Sequence, residues 1–96
     1  MDFNESQKDD VIQYIKNRVH KDYCEGDVDI CQDVTLRMME RANLDAFKKL
    51  TKVEHRKILD KVIRDYCDSA LDMCNYVTIL TMYQANLKAH QQQLTW

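Results

Sequence analysis

The sequence predicts an all-α protein in which two tandem αα-hairpin units, spaced by 43 residues, form a compact helical bundle with approximate internal two-fold symmetry. Three observations predict it. Residues 18–44 (RVHKDYCEGDVDICQDVTLRMMERANL) and 61–87 (KVIRDYCDSALDMCNYVTILTMYQANL) align without a gap and are identical at 12 of 27 positions, where unrelated stretches would share roughly two. Apolar residues recur at three- and four-residue steps along most of the chain. The 96 residues include no proline and a single glycine, Gly26, so little interrupts a helix. A unit of this size cannot enclose a core alone, so the two are expected to pack together as one domain over residues 1–96. Unit one spans about 8–44 and unit two about 51–87, followed by a polar extension, 88–96.

Val11, Ile15, Val19 and Tyr23 fall at four-residue steps and mark the first helix. The hinge that follows is placed at Glu25, Gly26 and Asp27, because glycine tolerates positive φ at a helix end and Asp27 can cap the next helix. The second helix is read from Val28, Cys31, Val34, Thr35, Met38, Met39 and Ala42 as its apolar face. Asn43-Leu-Asp45 is expected to stop it and to cap a short helix through Phe47 and Leu50. Phe3 and Phe47 would then act as lids on the core. Thr51-Lys-Val-Glu54 has the form of a capping box for the third helix, whose stripe is Ile58, Val62 and Tyr66 with Leu59 and Ile63 beside it. Ser69 replaces Gly26 at the second hinge, and Ser69-Ala-Leu-Asp72 resembles a weaker box. The fourth helix carries Leu71, Cys74, Val77, Thr78, Met82 and Ala85. A closed four-helix bundle is the favoured arrangement. The alternative is one uninterrupted helix over 53–90, giving two long helices that dimerise.

The four cysteines all lie inside the repeat, Cys24 and Cys31 in unit one, Cys67 and Cys74 in unit two. Three readings compete. The first is free thiols filling gaps near the hinges, since cysteine is among the most buried residue types. The second is one disulfide per hairpin, with each pair equidistant from its turn. The third makes Cys24, Cys31, Cys67 and Cys74 weak candidates for zinc, weakened by the absence of short chelate loops. The first is preferred because no export signal is evident and cytosolic thiols are kept reduced. The same reasoning, with no apolar run long enough to span a bilayer, leads to an intracellular, cytoplasmic location and no membrane partner.

Charge is close to balanced, net −2 with 31% charged residues, and so selects no partner class by itself. Locally it is uneven. Lys48 to Arg64 holds seven bases against Glu54 and Asp60, and Lys49, Lys52, Arg56, Lys57, Lys61 and Arg64 are the candidates for nucleic-acid or small-anion contact. They point in several directions, which fits a solvated face better than a binding ridge. Asp27, Asp29 and Asp72 read as helix-start acids and not as a calcium loop, since the EF-hand pattern is missing. There is no glycine-rich phosphate loop, no nucleophile elbow and no cysteine–histidine pair, so an enzyme is not expected and no cofactor is inferred.

Where the two units differ, three charges give way to large apolar residues: Asp33, Arg37 and Glu40 become Tyr76, Leu80 and Tyr83. With Leu87 these form a second stripe on the fourth helix. Tyrosine suits interfaces, having an apolar ring and a polar tip. Tyr76, Leu80, Tyr83, Leu87 and Trp96 are therefore the candidate partner-binding residues, with Trp96 a possible apolar hook. The competing reading is that the N-terminal residues or the linker fold over the stripe. The function expected is a small non-enzymatic protein-protein interaction module, an adaptor, assembly subunit or inhibitor, self-associating through the fourth helix. The alternatives are a nucleic-acid binder using 48–64 and a bundle holding a small anion.

Overall fold

Helices form where the apolar spacing predicts them, and they break at the cysteines. The computed structural model describes residues 3–25, 30–68, 72–92 and 94. A 3-10 turn, Glu5–Gln7, leads into α1 (Lys8–Cys24), α2 (Asp33–Leu50), α3 (Arg56–Cys67) and α4 (Tyr76–Gln91). The protein is an all-α bundle, and no strand occurs among the described residues. The 3-10 turn is fixed by a reciprocal cap in which Asn4 accepts from the turn's backbone and Gln7 accepts from the Asn4 amide.

Cys24 is bonded to Cys31, and Cys67 to Cys74, with Cα separations of 4.6 and 4.5 Å. These pairings correct the expectation of free thiols, and they remove the zinc candidacy of Cys24, Cys31, Cys67 and Cys74, since each sulfur is held by its partner. The reason is local. α1 and α3 stop at a cysteine, and α2 and α4 start two residues after the next one, so the pairs meet across the necks of their hairpins. A backbone bond from the Ile30 amide to the Tyr23 carbonyl, 3.3 Å, closes the first neck. The expected hinge residues Gly26 and Asp27, with Val28, Asp29, Ser69 and Leu71, lie outside the described residues. An uninterrupted helix over 53–90 is excluded by the break between Cys67 and Tyr76.

Two further boundaries differ. α2 runs on through Asn43 and Asp45 to Leu50, because the Asn43 side chain is buried in tertiary contacts instead of ending the helix. Thr51 then closes α2, its hydroxyl donating to the Lys48 carbonyl at 2.7 Å. It is thus unavailable as a cap, and α3 begins only at Arg56, after His55, without a side-chain cap.

α1 packs on α2, α2 on α4 and α4 on α3, while the backbones of α1 and α3 do not approach each other. The helices therefore lie in the order α1–α2–α4–α3, a layered bundle of 50 × 34 × 23 Å and not a closed one. Its smallest dimension is roughly two helix diameters. Ile15, Val19 and Leu36 form one core; Leu50, Leu59, Val62, Ile79 and Tyr83 form the other. Tyr76 packs against both. No helix among the described residues is long and apolar enough to cross a membrane.

Candidate functional site

The site is built where the second hairpin meets the first. Asn43 sits in an otherwise apolar phase of α2 and is 5% exposed. Its Nδ2 donates to the Met39 carbonyl at 2.8 Å, and its Oδ1 accepts from the amides of Tyr76 and Val77 at 3.0 and 3.3 Å. Asn75 accepts from the Thr78 amide at 2.8 Å. The first three amides of α4, which no helical carbonyl can reach, are all satisfied, two of them by a residue of the other hairpin.

Around this cap lies an aromatic cluster. The Tyr76 ring meets Phe47 edge-on, with centroids 5.0 Å apart, and Tyr14 at 5.6 Å. Phe47 in turn meets Phe3 at 5.2 Å, the lid pair read from the sequence. The Tyr14 hydroxyl donates to the Cys74 carbonyl. Burial pushes the Tyr14 and Tyr76 hydroxyls above their ordinary pKa, so both remain donors over the neutral range.

An ionic clamp completes the junction. Arg18 Nη1 pairs with the Asp72 carboxylate at 2.9 Å, Arg18 Nη2 donates to the Asp72 carbonyl, and Lys21 Nζ lies 3.2 Å from the same carboxylate. Arg18 Nε is held by Asp22 at 3.2 Å. Asp72 has φ of +48°, the left-handed region that few non-glycine residues adopt. Hydrogen bonds from Arg18 and then Lys21 hold its carboxyl below the ordinary range.

The contacts run one way. An internal two-fold would bring Asn86, the residue 43 positions after Asn43, to the start of α2. Asn86 is instead exposed, although its Nδ2 donates to the Met82 carbonyl at 2.8 Å just as Asn43 does to Met39. The hairpins are therefore arranged in succession, with the second seated on the first, and not about a two-fold axis.

The structure places the expected partner stripe at this seat. Tyr83 is 5% exposed within the second core, and Tyr76, Leu80 and Leu87 are half-buried against that core. Leu50, at the end of α2, belongs to the same cluster. The positions 43 residues earlier, Asp33, Arg37 and Glu40, lie in the first half of α2, where Asp33 and Arg37 are exposed and Arg37 pairs with Glu40 at 3.2 Å. Trp96 lies outside the described residues. Lys49, Lys52, Arg56, Lys57, Lys61 and Arg64 are all exposed. Lys61 pairs with Asp65 at 3.2 Å, and Glu54 and Asp60 intersperse the run.

Two surfaces were not foreseen. On α2 and the residues before it, Ile30, Val34 and Met38 follow at four-residue steps and are 41, 68 and 66% exposed. Val34 and Met38 were expected in the core. The signal for the true phase is Leu36, Met39, Asn43, Ala46 and Leu50, which keeps three- and four-residue steps once Asn43 is admitted as a buried residue. The second surface is a groove of about 580 Å³ between α3 and α4, lined by Val62 and Met82 with Lys61, Asn86, Ala89 and His90. In comparisons with known proteins, no family model, no curated protein and no solved structure matches this chain.

Proposed function

We propose that the chain is a non-enzymatic protein-protein interaction module. The observation that carries this reading is the row of water-facing apolar side chains Ile30, Val34 and Met38 at the start of α2. Single exposed apolar residues are ordinary, but three at helical spacing beside a disulfide-fixed neck make a contiguous patch of the kind a partner covers. The stripe Tyr76, Leu80, Tyr83 and Leu87 is engaged within the chain, so the partner surface is assigned to the start of α2 and not to the fourth helix. The 43-residue repeat supports an origin by duplication of one αα-hairpin. The two disulfides favour an oxidising compartment over the cytoplasm expected from the sequence, since cytosolic thiols are kept reduced.

Nucleic-acid binding through Lys49 to Arg64 is the rival, resting on the exposure of those six bases. Their dispersal among Glu54, Asp60 and Asp65 disfavours a phosphate-tracking ridge. A fluorescence titration with duplex DNA, single-stranded DNA and RNA separates the two. The interaction reading predicts no affinity tighter than about micromolar at physiological salt. Nanomolar, steeply salt-dependent binding that is lost in the R56E/K57E variant would sink it.

A further inference from the structure

The groove between α3 and α4 is the unfilled counterpart of the groove that seats the second hairpin. Nine residues line it, and seven are identical to the residues 43 positions earlier, Ile58 to Ile15 and Asn86 to Asn43 among them. That agreement exceeds the 12 of 27 found over the aligned units as a whole. The internal geometry also matches. Lys61 pairs with Asp65 at 3.2 Å where Arg18 pairs with Asp22 at 3.2 Å, and Asn86 and Asn43 each donate to the carbonyl four residues earlier at 2.8 Å. In unit one Asn43 Oδ1, Arg18, Phe47 and Tyr14 receive the Asp72–Val77 segment. In unit two nothing of this chain among the described residues occupies the equivalent seat.

We propose that this groove docks a second copy of the chain through the segment that leads into its α2, Ile30 to Val34. The inference rests on the interaction reading above and names its partner. The occupant is chosen by complementarity. The segment before α2 stands 43 positions ahead of the one that fills the unit-one groove, and a disulfide fixes the neck beside it in the same way. Its one change of chemical class from that segment is matched by changes in the groove. Tyr76, which meets Tyr14 and Phe47, is replaced by Asp33, and the residues in the places of Tyr14 and Phe47 are Lys57 and His90. An aromatic trio is thus exchanged for an acid facing two basic groups. In the place of Arg18 stands Lys61, and the residue at the position of Asp72 is Asp29, which lies outside the described residues.

On the docking side, Val34 is exposed where its counterpart Val77 is half-buried, and among the described residues no side chain caps the start of α2. Asn86 would supply that cap to the second copy as Asn43 supplies it to α4. The contact is heterologous, since each copy offers a groove at one end and a helix start at the other. It therefore builds an open head-to-tail series and does not close at a dimer. Gln93 stands 43 positions after Leu50, so the sequence offers the seat no apolar residue in that place, and association is weak and concentration-dependent.

Sedimentation equilibrium on the oxidised, full chain tests this, from about 10 μM to about 1 mM. Two variants block opposite ends: Lys61→Glu turns the groove against the incoming acids, and Asp33→Lys turns the helix start against Lys57 and His90. Both positions are exposed, so circular dichroism should match wild type. The mean mass of wild type should rise with concentration past the dimer, each variant should remain monomeric, and their equimolar mixture should reach a dimer and stop there. Only one pairing in that mixture retains an unaltered groove and an unaltered helix start. A wild type monomeric throughout, a closed dimer, a variant that associates like wild type, or a monomeric mixture would each overturn the proposal. A monomeric wild type that also binds no nucleic acid would leave the interaction reading in place and assign the groove to a different protein.

Discussion

Asn43 satisfies one carbonyl and two amides from inside the bundle, and its role follows from where the backbone of α4 begins. A helix start docked against another hairpin must find acceptors for its first amides, and a buried amide side chain supplies them without bringing a charge into the core. Asn43→Ala should cost about 1–3 kcal/mol in urea unfolding, because two amides lose their acceptor in a partly buried site. Asn86→Ala, at an exposed position with the same local bond, should change stability by less than about 0.5 kcal/mol at dilute concentration. Equal losses in the two variants would contradict this assignment. Asp72 makes a second residue-scale case. Its carboxyl is held below the ordinary value of 3.8 by Arg18 and Lys21. A depressed carboxyl contributes stability that is complete above the unfolded-state pKa and is lost as pH falls through the folded one. The stability difference between wild type and Asp72→Asn, which retains a side chain tolerant of positive φ, should be constant from pH 7 to about pH 5 and shrink below about pH 4. A difference that persisted unchanged to pH 2 would show that the clamp does not act through charge. Neither residue could be singled out from sequence alone, since Asn43 reads locally as a helix stop and Asp72 as a helix-start acid. Both acquire their roles from the other hairpin.

At the scale of elements, α1 and α3 were legible because a single apolar face meets one neighbour, and Ile15, Val19, Leu59 and Val62 are buried as their spacing demands. α2 and α4 were less so. Each packs on two neighbours and carries apolar residues around much of its circumference, so a stripe can be fitted to α2 through Val34 and Met38 although the residues it buries are Leu36, Phe47 and Leu50, and α4 buries Ile79 and Tyr83. The helix breaks were misplaced by the same kind of competition. Each disulfide stops the helix at its first cysteine and delays the next helix until two residues after its second. The spacing of the cysteines contained this answer, but the choice between thiol and disulfide rested on an assumed compartment. Each bridge closes a short loop of sequence separation 7, for which loop-closure entropy gives a stabilisation of about 2–3 kcal/mol. Reduction should therefore lower the melting temperature by several degrees or more per bridge, and the native mass should lack four hydrogens relative to the reduced chain. A native mass with four free thiols would contradict the hairpin-neck account.

For the whole molecule, the order α1–α2–α4–α3 explains why the two units diverged in sequence. Tyr76, Leu80 and Tyr83 stand at the seat of one hairpin on the other, whereas Asp33, Arg37 and Glu40 hold the equivalent positions in the first half of α2, where among the described residues no hairpin is seated. Apolar residues mark the occupied side and charges the end of the series, the pattern expected of stacked helical units with a polar terminal face. The 43-residue spacing of two similar stretches can be read from the sequence, but the arrangement of the hairpins cannot, because a two-fold and a succession of units are both compatible with that spacing. Only the one-sided use of Asn43 distinguishes them. Hydrogen exchange at four backbone amides tests this account most directly. At dilute concentration the Tyr76 and Val77 amides should be strongly protected and those of Asp33 and Val34 should exchange freely. On concentration toward about 1 mM the second pair should become protected as a neighbouring copy's Asn86 engages it. Rapid exchange at Tyr76 and Val77, or protection at Asp33 and Val34 that does not change with concentration, would contradict the succession of units and the docking that extends it.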